Sequence, residues 1–245
     1  MRRSLILLVL FCIAYAAPAR AEPLVADLSE SVVRITTGFT GTKVLLFGAK
    51  EGDGEIVVVV QGPRHSITVR RKSRVAGIWI NRAKVEFADV PSFYQVLSSE
   101  PLEQWLPLRT RDQYQIGVEY LKIEPKGDVG PAQASRFRDA LIRNMQRVDR
   151  YGTLAGKVTV LGDQLFRADL YLPSNLPTGF YNVEVLLVND GDVRSIQSTP
   201  LLVTKSGIGA QVFDMAYSYP ALYGIIAIVI AVLAGFAANV AFRNV

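Results

Sequence analysis

Apolar and polar positions alternate along most of the chain in short runs. Val32 to Ile35, Thr42 to Phe47, Glu55 to Gln61, Ser66 to Arg70, Gly77 to Asn81 and Val85 to Phe87 each read as a strand. Gly48, Gly52, Gly54 and the Gly62-Pro63 pair punctuate them. Within Glu55 to Gln61, the stretch Ile56 to Val60 is apolar without a break, which predicts a strand covered on both faces. Further on, Phe166, Ala168, Leu170 and Leu172 alternate with Arg167, Asp169 and Tyr171, the pattern of a half-buried strand. Tyr181, Val183, Val185 and Leu187 alternate again after a Leu176-Pro177-Thr178-Gly179 turn, and a return strand ends near Val203. A Pro-Gly turn leading into Tyr-x-Val-x-Val is similar to the penultimate strand of immunoglobulin-like domains, a likeness of fold only.

Two segments follow the helical period. From Pro131 to Arg150, the residues Ala134, Phe137, Leu141, Ile142, Met145 and Val148 recur at steps of three and four and predict an amphipathic helix. Its other face carries Arg136, Arg138, Arg143, Arg147 and Arg150, expected to be solvated or, on a helix lying along a bilayer, to meet anionic lipid. Ala221 to Phe242 is 22 residues without a formal charge. As a helix it would be about 33 Å long, enough for the ~30 Å hydrocarbon layer. Pro220 suits its first turn, and Tyr217, Tyr219 and Tyr223 suit an interfacial aromatic belt. Residues 98–130 are the least regular: Pro101, Pro107 and Pro125 prevent a long helix, and Gln113 to Ile123 is open to strand or helix.

The amino-terminal segment reads as a secretory signal. Arg2 and Arg3 precede the apolar run of thirteen residues from Leu5 to Ala17, and Ala19-Arg20-Ala21 offers a cleavage site before Glu22. The expected organisation is a signal peptide at 1–21, an N-terminal β-sandwich-like domain at 22–100, and a connecting segment at 101–152 carrying the helix 131–150. A C-terminal β-rich unit at 153–205 follows, then a juxtamembrane linker at 206–220, a span at 221–242 and a cytoplasmic stub at 243–245. The fold class is therefore mainly β, an immunoglobulin-like sandwich with one amphipathic helix and a single C-terminal transmembrane helix. Export followed by Arg243 at the far end of the span places the β-rich part in the periplasm, the span in a bacterial inner membrane and the C-terminus in the cytoplasm.

Charge and composition then narrow the function. Without Arg2, Arg3 and Arg20 the mature chain holds 24 basic and 22 acidic residues, an excess too small for a nucleic-acid binder. Cys12, the one cysteine, leaves with the signal, so neither disulfide nor thiol chemistry is expected. One histidine, His65, cannot make a transition-metal site alone, and no nucleophile motif accompanies it. No cofactor and no enzymatic activity are expected.

Three features carry the candidate chemistry. Between Arg64 and Arg74 the chain is basic without one acidic residue, and His65, Arg70, Arg71 and Arg74 form a candidate anion or lipid-headgroup site beside the plainer reading of a solvated strand end. Trp79, in an apolar strand, is expected in the core. Ala227, Ala231 and Gly235 recur every four residues with Asn239 on the same side, a face on which a second membrane helix could pack.

Several stretches carry a family resemblance. They are Gly38-Phe39-Thr40-Gly41, Leu46-Phe47-Gly48, Gly62-Pro63, Gly77-Ile78-Trp79-Ile80-Asn81 and Pro91-Ser92-Phe93-Tyr94. After them come Leu165-Phe166-Arg167-Ala168, Leu172-Pro173, Pro177-Thr178-Gly179-Phe180-Tyr181, Tyr223-Gly224 and Phe242-Arg243. In this order they resemble a family of alphaproteobacterial transmembrane proteins. The resemblance implies the same topology and assigns no catalytic residues. It also implies that members are encoded near sulfite-exporter-like permeases, which points to a transport accessory role. The expected partners are membrane lipid and an integral membrane permease, or a second copy through the transmembrane helix. The expected role is that of a membrane-anchored accessory or binding protein, with a receptor for a small anion as the alternative.

Overall fold

A computed structural model describes residues 24–75, 77–206 and 215–242. The expected signal, residues 1–21, and the stub, 243–245, lie outside these residues, as does 207–214 of the linker.

The chain is mainly β. Strands β1 (Leu24–Leu28), β2 (Val32–Ile35), β3 (Gly41–Lys50), β4 (Glu55–Gln61), β5 (Arg64–Val75), β6 (Ile78–Pro91) and β7 (Tyr94–Ser98) come first. Two short helices, α1 (Leu102–Trp105) and α2 (Leu108–Gln113), a 3-10 turn at Val118–Tyr120, the short β8 (Glu124–Pro125) and helix α3 (Pro131–Arg147) follow. Strands β9 (Gly156–Leu161), β10 (Leu165–Pro173), β11 (Gly179–Asn189) and β12 (Asp192–Lys205) lead towards the last helix, α4 (Pro220–Phe242).

Nine strands form one sheet in the order β1-β3-β10-β9-β7-β4-β11-β12-β2. The sheet curls so that its two halves face each other, and the Thr199 hydroxyl of β12 reaches the Ala26 carbonyl of β1 at 3.4 Å. The two β-rich segments, 22–100 and 153–205, which the sequence leaves open to one sandwich or two, are interleaved: β3 pairs with β10, β4 with β11 and β2 with β12. They share the core inside the curl, where Leu46, Ile56, Val58, Phe166, Leu170, Val183, Val185 and Leu201 are buried.

A second core lies on the outer side of β4, β7 and β11. There Val57, Val59, Val96, Leu186 and Val188 meet Val69, Val85 and Phe87 of the β5–β6 hairpin and Phe137, Leu141 and Met145 of α3. The unbroken run in β4 thus has a physical cause: Ile56, Val58 and Val60 face one core and Val57 and Val59 the other. Helix α3 begins with Pro131 in its first turn, and its predicted stripe points inward, apart from the exposed Val148 at its end. Tyr181 donates from its hydroxyl to the Pro177 carbonyl at 2.7 Å, tying β11 to the turn before it.

The irregular segment 98–130 lines the rim of the second core with Leu102, Leu106, Ile116, Val118, Leu121 and Ile123. Tyr94 organises it. The Tyr94 hydroxyl donates to the Gln115 carbonyl at 2.5 Å and accepts the Gly117 amide at 2.8 Å. The sequence leaves strand and helix both open for Gln113 to Ile123. Most of it is a turn and one 3-10 turn, with Gln115 and Gly117 at positive φ where neither regular element continues.

Candidate functional site

Strands β5 and β6, joined by β8 near their base in a three-stranded sheet, extend as a two-stranded finger. The runs Gly77–Asn81 and Val85–Phe87, expected as two strands, fall in the one strand β6 except for Gly77 in the turn before it, and Arg64–Arg74 lies within β5. Arg64 closes the base by an ion pair with Asp89 at 2.9 Å, and Arg74 Nε donates to the Gly77 carbonyl at 3.2 Å near the tip. Gly77 turns the chain with φ of 86°, a conformation side chains disfavour.

The register assigns the faces. Val69 pairs with Val85, Arg70 with Lys84 and Arg71 with Ala83; Lys72 then pairs with Asn81 and Arg74 with Trp79, leaving Arg82 as the extra residue of a bulge. Alternation puts Arg70, Lys72, Arg74, Lys84 and Trp79 on one face and Arg71 on the other, in line with Ile67 and Val69. Of the four candidate anion ligands, Arg70 and Arg74 therefore share a face and Arg71 points away. His65 stands at the base, nine residues and about 30 Å of strand from Arg74. All four are exposed.

Trp79 corrects the sequence expectation: it is not in the core but 65 % exposed, between Ile78 at 68 % and Ile80 at 44 %. The buried part of the second core ends at Val69 and Val85, with half-buried Ala83 packed at its margin, and the finger continues past it with its apolar tip exposed. No carboxylate lies within 4 Å of Arg70, Arg71, Lys72, Arg74, Arg82 or Lys84 among the described residues.

A cleft of about 630 Å³ opens where β7 and β9 run side by side below α1 and α2. Its lining includes Ser98, Glu103, Arg111, Glu119 and Lys157. The Arg111 guanidinium stacks over the Tyr120 ring at 4.8 Å and reaches Glu103 at 3.6 Å, while its Nε has no hydrogen-bond partner. The Ser98 hydroxyl is buried without a partner. The cleft can hold a small polar molecule. Sequence reasoning missed it because its residues come from four separate segments with no motif linking them.

Three buried tyrosines stiffen this side of the molecule. Burial pushes the Tyr94 and Tyr151 hydroxyls well above the usual range, and it pushes Tyr181 up to about 12. Tyr151 donates to the Pro91 carbonyl at 2.7 Å, and its ring meets Tyr94 edge-on with centroids 6.0 Å apart.

Helix α4 is 23 residues and about 34 Å long. Over Pro220–Asn239 its mean hydropathy is 2.5 and no part of it is buried in the protein. Ala227, Ala231, Gly235 and Asn239 follow one another at four-residue steps along one open side. A helix this apolar and this exposed has lipid, not water, as its solvent.

A mainly β body followed, among the described residues, by one helix long and apolar enough to cross a bilayer fits a single-pass membrane protein. The chain belongs to the family described as "Putative transmembrane protein (Alph_Pro_TM)", which matches residues 23–244. No curated protein and no solved structure matches it.

Proposed function

We propose that this protein is a membrane-anchored accessory protein that binds a partner within the bilayer, with its β body in the periplasm and the C-terminus of α4 in the cytoplasm of an inner-membrane protein. One observation carries the reading: α4 is apolar all round, yet one side is reduced to Ala227, Ala231 and Gly235 and ends in the amide of Asn239. Small residues let two helix backbones approach closely, and an amide in an apolar stretch is favoured where a neighbouring helix accepts its hydrogen bond. A permease helix is the occupant the family resemblance suggests, and a second copy of α4 is the other.

The reading is one of binding and not of catalysis. The small-anion alternative gains less support, since the finger spreads His65, Arg70, Arg71 and Arg74 along its length and over both faces. Photocrosslinkers placed at 231 and 235, with others at 229 and 233, test the partner in intact membranes. Crosslinks confined to the small-residue side and surviving purification in mild detergent are expected. Recovery of a lone monomer from every membrane and detergent condition would sink the proposal.

A further inference from the structure

The finger ends in an arrangement that the anchor alone does not explain. Beyond Val69 and Val85, six cations follow in a segment without one carboxylate: Arg70, Arg71, Lys72, Arg74, Arg82 and Lys84. The finger runs about 20 Å past the last buried pair before it turns. Ile78, Trp79 and Ile80 are exposed at its end. Arg74 lies across from Trp79, so the charged collar begins directly behind the apolar tip.

We propose that this tip is a second membrane contact. Ile78, Trp79 and Ile80 enter the interfacial layer of a bilayer rich in anionic lipid, and the six cations meet phosphate groups around them. Tryptophan prefers the boundary between headgroups and acyl chains, and isoleucine prefers the chains beneath. Lysine and arginine are drawn to an anionic surface and can extend their charged ends to phosphates while their stems stay apolar.

The distribution of charge favours lipid over an acidic protein. Cations occupy both faces of the finger and the bulge between them, so a collar surrounds the apolar end. A plane of headgroups can satisfy a collar from every side, whereas a protein docked on one face would leave the opposite cations unpaired. Reach is also sufficient. Residues 206–219, which join β12 to α4, span at most about 50 Å, so the body stays close to the bilayer that α4 enters. The proposal rests on α4 being anchored in lipid and is independent of what packs on its small-residue side.

The test uses the full chain in proteoliposomes. Phe in place of Trp105 leaves Trp79 as the fluorophore, and the Trp79→Phe chain, which keeps Trp105, supplies the complementary readout if the first variant folds poorly. In bilayers containing phosphatidylglycerol, Trp79 emission should move to the blue. It should be quenched by brominated acyl chains and become several-fold less accessible to acrylamide. In pure phosphatidylcholine, or with Arg70, Lys72 and Arg74 all changed to Glu, these changes should largely disappear, because each charge contributes roughly a five-fold preference for an anionic surface. A chain that fails to stay with the vesicles would refute the anchor instead, and this is scored separately by flotation. If Trp79 stays open to acrylamide in anionic bilayers, the proposal falls. A blue shift without bromolipid quenching also overturns it, since protein and not lipid would then cover the tip.

Discussion

Replacing Gly48 with alanine places a methyl carbon 2.3 Å from the Val25 carbonyl oxygen and 2.5 Å from Phe166 Cζ. Ordinary contacts between such atoms are roughly 1 Å longer. Neither neighbour can yield easily: the carbonyl belongs to β1, paired along its length with β3, and the Phe166 ring is buried in the core across the pair Phe166–Gly48. Overpacking of this kind costs about 1–3 kcal/mol, against a gain of about 0.5–1 kcal/mol from removing the freedom of glycine in the unfolded chain. At the middle of these ranges the net loss is about 1 kcal/mol, which should lower Tm by about 2–4 °C in a chain of this size. Thermal unfolding of full-length protein in nanodiscs, followed by near-ultraviolet circular dichroism, measures it. Gly38→Ala is the control, because nothing lies within 4 Å of its added carbon. A second substitution, Phe166→Leu, should cost less in the Gly48→Ala background than alone, by at least about 0.5 kcal/mol. If Gly48→Ala melts no lower than Gly38→Ala, the packing argument for β3 is wrong.

Three further outcomes are expected. Val58→Thr and Val59→Thr should each lower stability by about 1–3 kcal/mol in urea titrations, since each buries a hydroxyl in a different core; a neutral result for either would show that one face of β4 is wet. Stability should be flat with respect to the tyrosines below pH 10 and should then fall as pH rises. In that range the unfolded chain ionises at its ordinary value of about 10 while folded Tyr181 holds its proton up to about 12, with Tyr94 and Tyr151 holding theirs still longer. Denaturant midpoints across that range that stay level would contradict the burial of these hydroxyls. Gly235→Leu should abolish helix crosslinking in the membrane while leaving the melting of the β body unchanged, and Asn239→Leu should weaken it less.

Much of the fold was legible because local pattern and final burial agree. The edges of β2 and β4 follow from the residues alone, as does the inward stripe of α3, and the double coverage of β4 is written in five consecutive apolar residues. What failed was anything set by how far one element outruns another. Trp79 has the composition of a core strand, and its exposure depends on the covering layer ending at Val69 and Val85, which sequence spacing does not encode. The partition into an earlier and a later β-rich unit is likewise silent on pairing, because β3 and β10 find each other across more than a hundred residues. The Arg111 cleft was unreadable for the same reason. The sequence groups His65, Arg70, Arg71 and Arg74 as one basic cluster, and strand alternation, once β5 is known to be continuous, sets Arg70 and Arg74 on one face and turns Arg71 the other way.

Strand β12 gives the molecule a mechanical character. Near its end Leu202 and Val203 are held by β11 on one side, Leu202–Lys205 are held by β2 in parallel on the other, and the Ser206 amide adds a bond to the Ile35 carbonyl at 2.9 Å. Tension arriving from the bilayer through residues 206–219 pulls along this strand and loads both ladders together in shear, so no bond yields before its neighbours share the force. An anchor attached to an edge strand at right angles would open one bond at a time. The tether is thus fastened where the β body resists pulling best, and drag on the membrane helix reaches the body as a load on the whole sheet.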